Sequence, residues 1–183
     1  MAGQQKQKTA HSLHGFTIVE LLIVILVIAI LAAIVIVAYT GIQDKANNSS
    51  RQSEAQQVAK LLLSYKAQND AWPPMPSGIT SVCVGDGFSD LNSDGQPDCW
   101  DAFGGAASHP YDPFNAALRT VGSLPIGNRV PINSSNHLRL GPVFMLSGTT
   151  ATVRYWVKAP SCPSGTQVWS DGITVQCTLG LDM

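Results

Sequence analysis

One run of apolar residues constrains this chain more than any other feature. The 18 residues from Leu21 to Ala38 carry no polar side chain. The rest of the sequence is polar and punctuated by Gly and Pro, and only 13% of all residues are charged, against about 25% in an ordinary soluble protein. Because so long an apolar run is not stable in water without a cover, the sequence excludes a plain cytosolic enzyme.

The length of this run suits a membrane helix. Counted from Phe16 to Ala38, the segment has 23 residues, of which only Thr17 and Glu20 are polar. An α-helix rises about 1.5 Å per residue, so a helix of this length crosses the hydrocarbon core of a bilayer.

Two simpler explanations of the apolar run are a secretory signal peptide and a simple membrane tether. A secretory signal peptide has a shorter apolar region, and cleavage after Ala38 would place the bulky Ile36 at the −3 position. A simple membrane tether would keep the N-terminus in the cytoplasm, because Lys6 and Lys8 precede the apolar helix. The remainder of the chain would then lie outside the cytoplasm.

Neither explanation accounts for Glu20. An ionised carboxylate inside an apolar helix is costly unless it is paired, so it indicates a function. No Lys or Arg lies within a helical turn of it. A chain cut just before Phe16 would have a free α-amino group four residues from Glu20, and that amine, on the same or a neighbouring chain, would pair with the carboxylate.

The residues around Glu20 form a specific motif. The segment from Gly15 to Leu22, GFTIVELL, with the apolar run behind it, resembles the N-terminal processing and methylation motif of type IV prepilins and type II secretion pseudopilins. The resemblance implies cleavage between Gly15 and Phe16 by a membrane prepilin peptidase, N-methylation of Phe16, and a role for Glu20 in recruiting subunits into a helical filament. A glycine at the cut suits a protease because it has no Cβ.

The resemblance, which covers about residues 15–72, divides the chain into four parts. They are a leader peptide at 1–15, a transmembrane and filament-core helix at 16–38, an amphipathic continuation of that helix at 39–72, and a globular extracytoplasmic head at 73–183. In the third part, apolar residues recur at helical spacing from Ala55 to Tyr65. Proline lacks the N–H donor that a helix needs, so Trp72-Pro73-Pro74 is expected to end the helix.

The C-terminal third predicts antiparallel strands. Apolar and polar residues alternate from Ala151 to Val157, and the turn Ser170-Asp171-Gly172 separates two further strand-like segments. Another strand is expected from Pro142 to Leu146. A long helix followed by strands favours an α+β fold with the sheet wrapped on the helix. Trp156 falls on the charged face of its strand and is expected at the surface.

Four cysteines lie in the part that the membrane topology places outside the cytoplasm, where disulfides persist. Three pairings are open in principle. Sequential pairing, Cys83 with Cys99 and Cys162 with Cys177, closes two short loops of similar length, and the second loop resembles the disulfide-bounded region of many pilins. Zinc is the alternative, although no CxxC pair occurs and His109 and His137 stand alone.

An acidic segment of the head resembles a calcium loop. Residues 86–112 contain six Asp and no Lys or Arg. Within it, oxygen-bearing side chains at positions 1, 3, 5, 9 and 12 and a glycine at position 6 match the pattern of single calcium loops. The candidate ligands are Asp90, Asn92, Asp94, Gln96 through its backbone carbonyl, Asp98 and Asp101. The alternative is an acidic, solvated turn without a cation.

We therefore predict a structural subunit rather than an enzyme. The resemblance implies a type IV pilus subunit that assembles through its N-terminal helix; the alternatives are a pseudopilin of a type II secretion or DNA-uptake system, or a minor calcium-binding adhesive tip pilin. The implied partners are other copies of the chain and related pilins, the prepilin peptidase and N-methyltransferase, and an assembly platform in the inner membrane. The subunit would wait in the cytoplasmic membrane with its N-terminus in the cytoplasm, and would later reach a surface pilus or periplasmic pseudopilus.

Other classes of function find little support in the sequence. No GxSxG, HExxH or GxxxxGK motif occurs, so catalysis is unsupported. The net charge of −1 gives no basic field for nucleic acid. Apart from possible Ca²⁺, no cofactor is expected, and an organic cofactor is not indicated.

Overall fold

The computed structural model describes residues 16–91, 93, 95–102, 108–126, 130–134 and 137–181; within its helix and strands, the side chains of residues 37, 38, 40, 101 and 102 lie outside the description. The chain divides into two units, Met1–Gly41 and Ile42–Met183. The predicted leader, residues 1–15, therefore falls outside the described residues.

Helix α1 spans Ile18–Asn69, 52 residues. Its end precedes the expected stop at Trp72-Pro73-Pro74, because Asp70 takes a left-handed conformation with φ of 55°. Two hydrogen bonds hold the last turn: the backbone N–H of Asp70 donates to the Lys66 carbonyl at 2.9 Å, and the side-chain amide of Asn69 donates to the Tyr65 carbonyl at 2.9 Å. A short αL turn thus ends the helix without help from proline.

The described residues of the head form eight strands in two antiparallel sheets and one short helix. The strands are β1 Ser81–Cys83, β2 Trp100–Ala102, β3 Ile132–Ser134, β4 His137–Arg139, β5 Val143–Ser147, β6 Thr150–Val157, β7 Thr166–Ser170 and β8 Val175–Gly180. Helix α2, Asp112–Arg119, lies between β2 and β3 in the sequence. The larger sheet has the order β1-β5-β6-β8-β7 and the smaller one β2-β4-β3. The predicted α+β fold is confirmed.

The main core joins α1, α2 and one face of the five-stranded sheet. Alternate residues of β6 are buried on that face, as the period of two predicts. The apolar residues of α1 that recur at helical spacing from Ala55 to Tyr65 pack against this face of the sheet. The fully buried members include Ala55, Val58 and Leu62 of α1, Phe114 and Leu118 of α2, and Phe144, Val153, Tyr155 and Val157 of the sheet.

A second apolar cluster joins residues of the two sheets. It contains Cys83, Cys99, Ile132, Val143 and Trp156. Trp156 is only 4% exposed, so its expected surface position is wrong. The smaller sheet covers Trp156, because the ring of Trp100 on β2 lies nearly parallel to the Trp156 ring, with the two ring centroids 6.5 Å apart.

Candidate assembly site

The N-terminus of α1 is closed by a capping box. Thr17 precedes the first helical residue, and its N–H and hydroxyl both donate to Glu20 Oε2, at 2.8 and 2.7 Å. The Glu20 N–H points back to the Thr17 hydroxyl at 3.3 Å. A Thr at the N-cap with a Glu three residues later satisfies two donors of the first turn that have no partner within the helix.

The capping box gives Glu20 a role that the sequence argument did not assign. We expected this carboxylate to wait for the amine of a cleaved Phe16. In the uncut chain, Thr17 on the same helix supplies its hydrogen bonds. The T-x-x-E spacing of Thr17 and Glu20 is a known start signal for helices, and it would have identified Thr17 as a second functional residue.

Beyond Glu20 the helix exposes apolar side chains in every direction. All large apolar residues from Phe16 to Ile36 are at least 48% exposed. The helix is long and apolar enough to cross a membrane, with a mean hydropathy of 3.7 over its most apolar window of 18 residues. A contiguous exposed apolar surface of this size is typical of a site that contacts a membrane or another protein.

The comparisons with known proteins agree with this arrangement. The family described as "Prokaryotic N-terminal methylation motif" matches residues 12–36, which include Gly15, Phe16 and Glu20. Three relatives are named type II secretion system core protein G. The relative from Pseudomonas aeruginosa is 27% identical over 100 residues, 55% of this chain and 67% of its own length.

The other two relatives match a shorter stretch. Those from Klebsiella michiganensis and Escherichia coli are each 31% identical, over 71 and 69 residues, or 39% and 38% of this chain. The chain spans 50% and 48% of their lengths. Over part of its length the chain is similar in sequence to these core G proteins. No solved structure matches it. The prepilin-type methylation motif that the sequence predicts is thus confirmed at residues 12–36.

The acidic loop of the head is only partly described. Asn92 and Asp94 lie outside the described residues, as does the side chain of Asp101. Asp90 turns back on the loop, where its Oδ1 accepts the Ser93 N–H at 2.6 Å and its Oδ2 accepts the Gly95 N–H at 2.9 Å. Gly95 has φ of 89°, the left-handed conformation that the sixth position of a calcium loop requires.

Asp98, the predicted ligand at position 9, has other contacts. Its side chain is fully buried, Oδ2 accepts the Leu91 N–H at 3.0 Å, and Oδ1 lies 2.8 Å from His109 Nδ1. Gln96 is exposed. Among the described residues, no group of three or more His, Cys, Asp or Glu side chains is placed to hold a metal ion.

Both sequential disulfides are present. Cys83–Cys99 joins β1 to the residue before β2, and therefore links the two sheets. Cys162–Cys177 joins the segment after β6 to β8. Since all four cysteines are bridged, the alternative of a zinc site at these thiols is excluded.

Proposed function

We propose that the chain is a pseudopilin-type subunit, held in the inner membrane by the first part of α1 and later assembled through it into a short filament of a type II secretion system. The observation that carries this proposal is the exposed apolar helix that starts at a Thr17–Glu20 capping box inside the methylation motif. The names of its relatives favour secretion over a surface pilus.

Processing would precede assembly. A prepilin peptidase would cut between Gly15 and Phe16, and the new amine of Phe16 would be N-methylated. That amine lies at the start of the same helix as Glu20, so the carboxylate of one subunit and the amine of another can meet when the two helices pack side by side. The pairing would neutralise both charges in an apolar surrounding, where an unpaired charge is costly. The partners would be other pilin-like subunits, the processing enzyme and a membrane assembly platform.

Replacing Glu20 tests the pairing step. The variant Glu20→Ala should be cleaved normally, yet its filament fraction should fall more than about tenfold, because a charge-assisted bond is lost. Cleavage is measured by gel mobility, and incorporation by pelleting of sheared filaments. Normal incorporation of the variant would refute the role of Glu20.

A control separates charge pairing from capping. Thr17→Val removes the hydroxyl of the cap but keeps the Glu20 carboxylate. We expect it to assemble nearly as well as the unchanged chain. If Thr17→Val fails as completely as Glu20→Ala, the start of the helix, rather than the charge, is what assembly needs.

Labelling for electron microscopy separates the pseudopilus from a type IV pilus. For a pseudopilin we expect label in the envelope and no long surface fibres at native expression. Long labelled fibres would instead establish a pilus subunit, and label confined to fibre ends would establish a tip pilin.

We further propose that residues 90–101 bind calcium. Support comes from the loop closed by Asp90 and from the left-handed Gly95. The full chain in detergent should melt at a lower temperature after chelation, because a ligand that binds only the folded state stabilises it. The variant Asp94→Ala should show no response, whereas Asp112→Ala, in α2, should respond normally. Equal responses of all three proteins would exclude the site.

A further inference from the structure

The cleft between the two sheets contains a cavity of about 130 Å³ that the proposed filament role does not use. It lies on the face of the five-stranded sheet opposite α1. Its wall includes Arg139 of β4, Arg154 of β6, Trp100 and Trp156, with Val143 and Met145 of β5 as apolar neighbours. Among the described residues, no Asp or Glu lines it.

Four hydrogen-bond donors on side chains that line this cavity have no acceptor in the described part of the chain. They are Nε of Arg139, Nε of Arg154, and the indole N–H groups of Trp100 and Trp156, all of them buried atoms. Arg139 as a whole is only 5% exposed. A buried donor without an acceptor is costly, and native structures seldom leave several at one place. An acceptor bound in the cavity would satisfy them together.

The two guanidinium groups give the cavity a positive charge. Burial lowers the pKa of both Arg139 and Arg154, yet guanidinium stays protonated at neutral pH. The negative charge of Asp171 acts in the opposite direction and raises the pKa of Arg139, but by less than burial lowers it. The Asp171 oxygens, however, already accept bonds from Ser134, Ile173 and Thr174. Arg154 has no ion pair among the described residues, so an anion would be its partner.

The stacking around Arg139 holds this charge in place. Its guanidinium carbon lies 5.5 Å from the ring centre of Trp156 and 4.9 Å from that of Trp169, and its Nη1 donates to the Ser134 carbonyl at 3.0 Å. A guanidinium held against two aromatic rings and a backbone carbonyl is preorganised, so little entropy is lost when it binds an anion.

We propose that this cavity binds a small organic carboxylate with a short apolar tail. The carboxylate would accept bonds from Arg154, Arg139 and the indole N–H groups, and the tail would lie against Val143, Met145 and the aromatic rings. The volume of about 130 Å³ is close to the roughly 150 Å³ of a cavity that holds benzene, so it admits a molecule of the size of butyrate. The mixed wall favours such a ligand over a fully polar inorganic anion.

Calorimetric titration of the full chain in detergent with sodium butyrate tests the proposal. We expect saturable binding to one site, weaker binding of acetate because its tail is shorter, and still weaker binding of sulfate. Sulfate binding as tight as butyrate would overturn the assignment to carboxylates. Absence of butyrate binding at millimolar concentration would show a cavity filled only by water and would overturn the proposal altogether.

Two variants with a matched control locate the site. Arg154→Met should weaken butyrate at least about tenfold, because a bond to a charged donor is lost. Arg119→Met removes an exposed arginine that pairs with Asp86, and it should leave the affinity unchanged. If Arg154→Met does not fold, Trp156→Phe is the second variant: it keeps an aromatic ring, removes the indole N–H donor, and should weaken binding by a smaller factor. Unchanged affinity in a folded variant of either kind would refute the site.

Discussion

The two faces of the five-stranded sheet differ in kind. The face toward α1 buries apolar side chains, and Val153 and Tyr155 of β6 belong to the same cluster there as Val58 and Leu62 of the helix. The opposite face carries Arg154 and Trp156 from the same strand, and a small second sheet covers it. Strand β6 therefore contributes side chains to two separate buried clusters, one on each face of the sheet.

Different kinds of contact stabilise the two interiors. On the helix side, burial of apolar area supplies most of the stability, and this term needs no particular partner. On the other side, tryptophan rings, guanidinium groups and a disulfide between Cys83 and Cys99 join the sheets. Such contacts depend on direction, so a change there is expected to alter local geometry more than total stability.

Neighbouring residues of β5 give the largest contrast. Phe144 is fully buried on the helix side, with its ring 5.2 Å from Phe114 and 5.6 Å from Trp72, whereas Met145 on the other face is half-buried. Phe144→Ala should lower the free energy of unfolding by about 3–5 kcal/mol, and Met145→Ala by only about 1 kcal/mol. Urea unfolding of the full chain in detergent, followed by tryptophan fluorescence, measures both; equal losses would remove the distinction between the faces.

Arg51 of α1 is the next test, because it joins the helix to the end of β4. The side chain is 3% exposed, and it donates to the Leu140 carbonyl at 2.9 Å, to the Arg139 carbonyl at 3.4 Å and to the Val130 carbonyl. Burial lowers its pKa to about 10. Arg51→Met should cost about 3 kcal/mol of unfolding free energy, because buried carbonyls lose charged donors.

The matched control for Arg51 is the exposed Lys60 on the same helix. Lys60→Met also removes one positive charge and should change the unfolding free energy little. If both variants lose the same stability, net charge rather than the buried bonds accounts for the effect.

The smallest expected effect concerns acid. Asp171, in the turn between β7 and β8, accepts a hydrogen bond from the Ser134 hydroxyl of β3 and from two backbone N–H groups, which together lower its pKa from 3.8 to about 2. A carboxylate with a lowered pKa stabilises the fold above pH 3.8, and this contribution is lost as the pH falls toward about 2.

Melting temperatures across that range check the role of Asp171. The difference between the unchanged chain and Asp171→Asn should be constant above pH 3.8 and shrink toward about pH 2. Ser134→Ala should reduce the same difference, because it removes the largest cause of the lowered pKa. A difference independent of pH would mean that Asp171 does not link the sheets through its charge. The effect is small because the carboxylate is exposed to solvent.

The sequence predicts the helix side of the fold better than the other side. The spacing of Ala55, Val58 and Leu62 and the alternation along β6 identify the main core, because each pattern extends over several residues. Strands β2, β3 and β4 have three residues each, too few to show a period. The smaller sheet was therefore missed, and Trp156 was assigned to the surface that this sheet covers.

The residues of the candidate assembly site were also predicted only in part. Gly15, Phe16 and Glu20 were found from a motif of fixed spacing, and the comparisons match that motif. Thr17 was overlooked, since Glu20 was considered only as a charge and not as part of a helix start. For the acidic loop, spacing alone predicts ligands for Ca²⁺ but does not reveal that Asp98 is buried beside His109. Contacts between distant segments are set by tertiary structure.

The capping box also leaves one oxygen of Glu20 available to bind the amine of a neighbouring subunit. Both bonds from Thr17 end on Oε2 of Glu20, and among the described residues Oε1 accepts none. One oxygen can thus keep the first turn of the helix intact while the other receives an amine from an incoming chain. A subunit that joins a filament would then keep the Thr17–Glu20 hydrogen bonds while Glu20 binds the incoming amine. The first turn of its helix would already be formed before assembly.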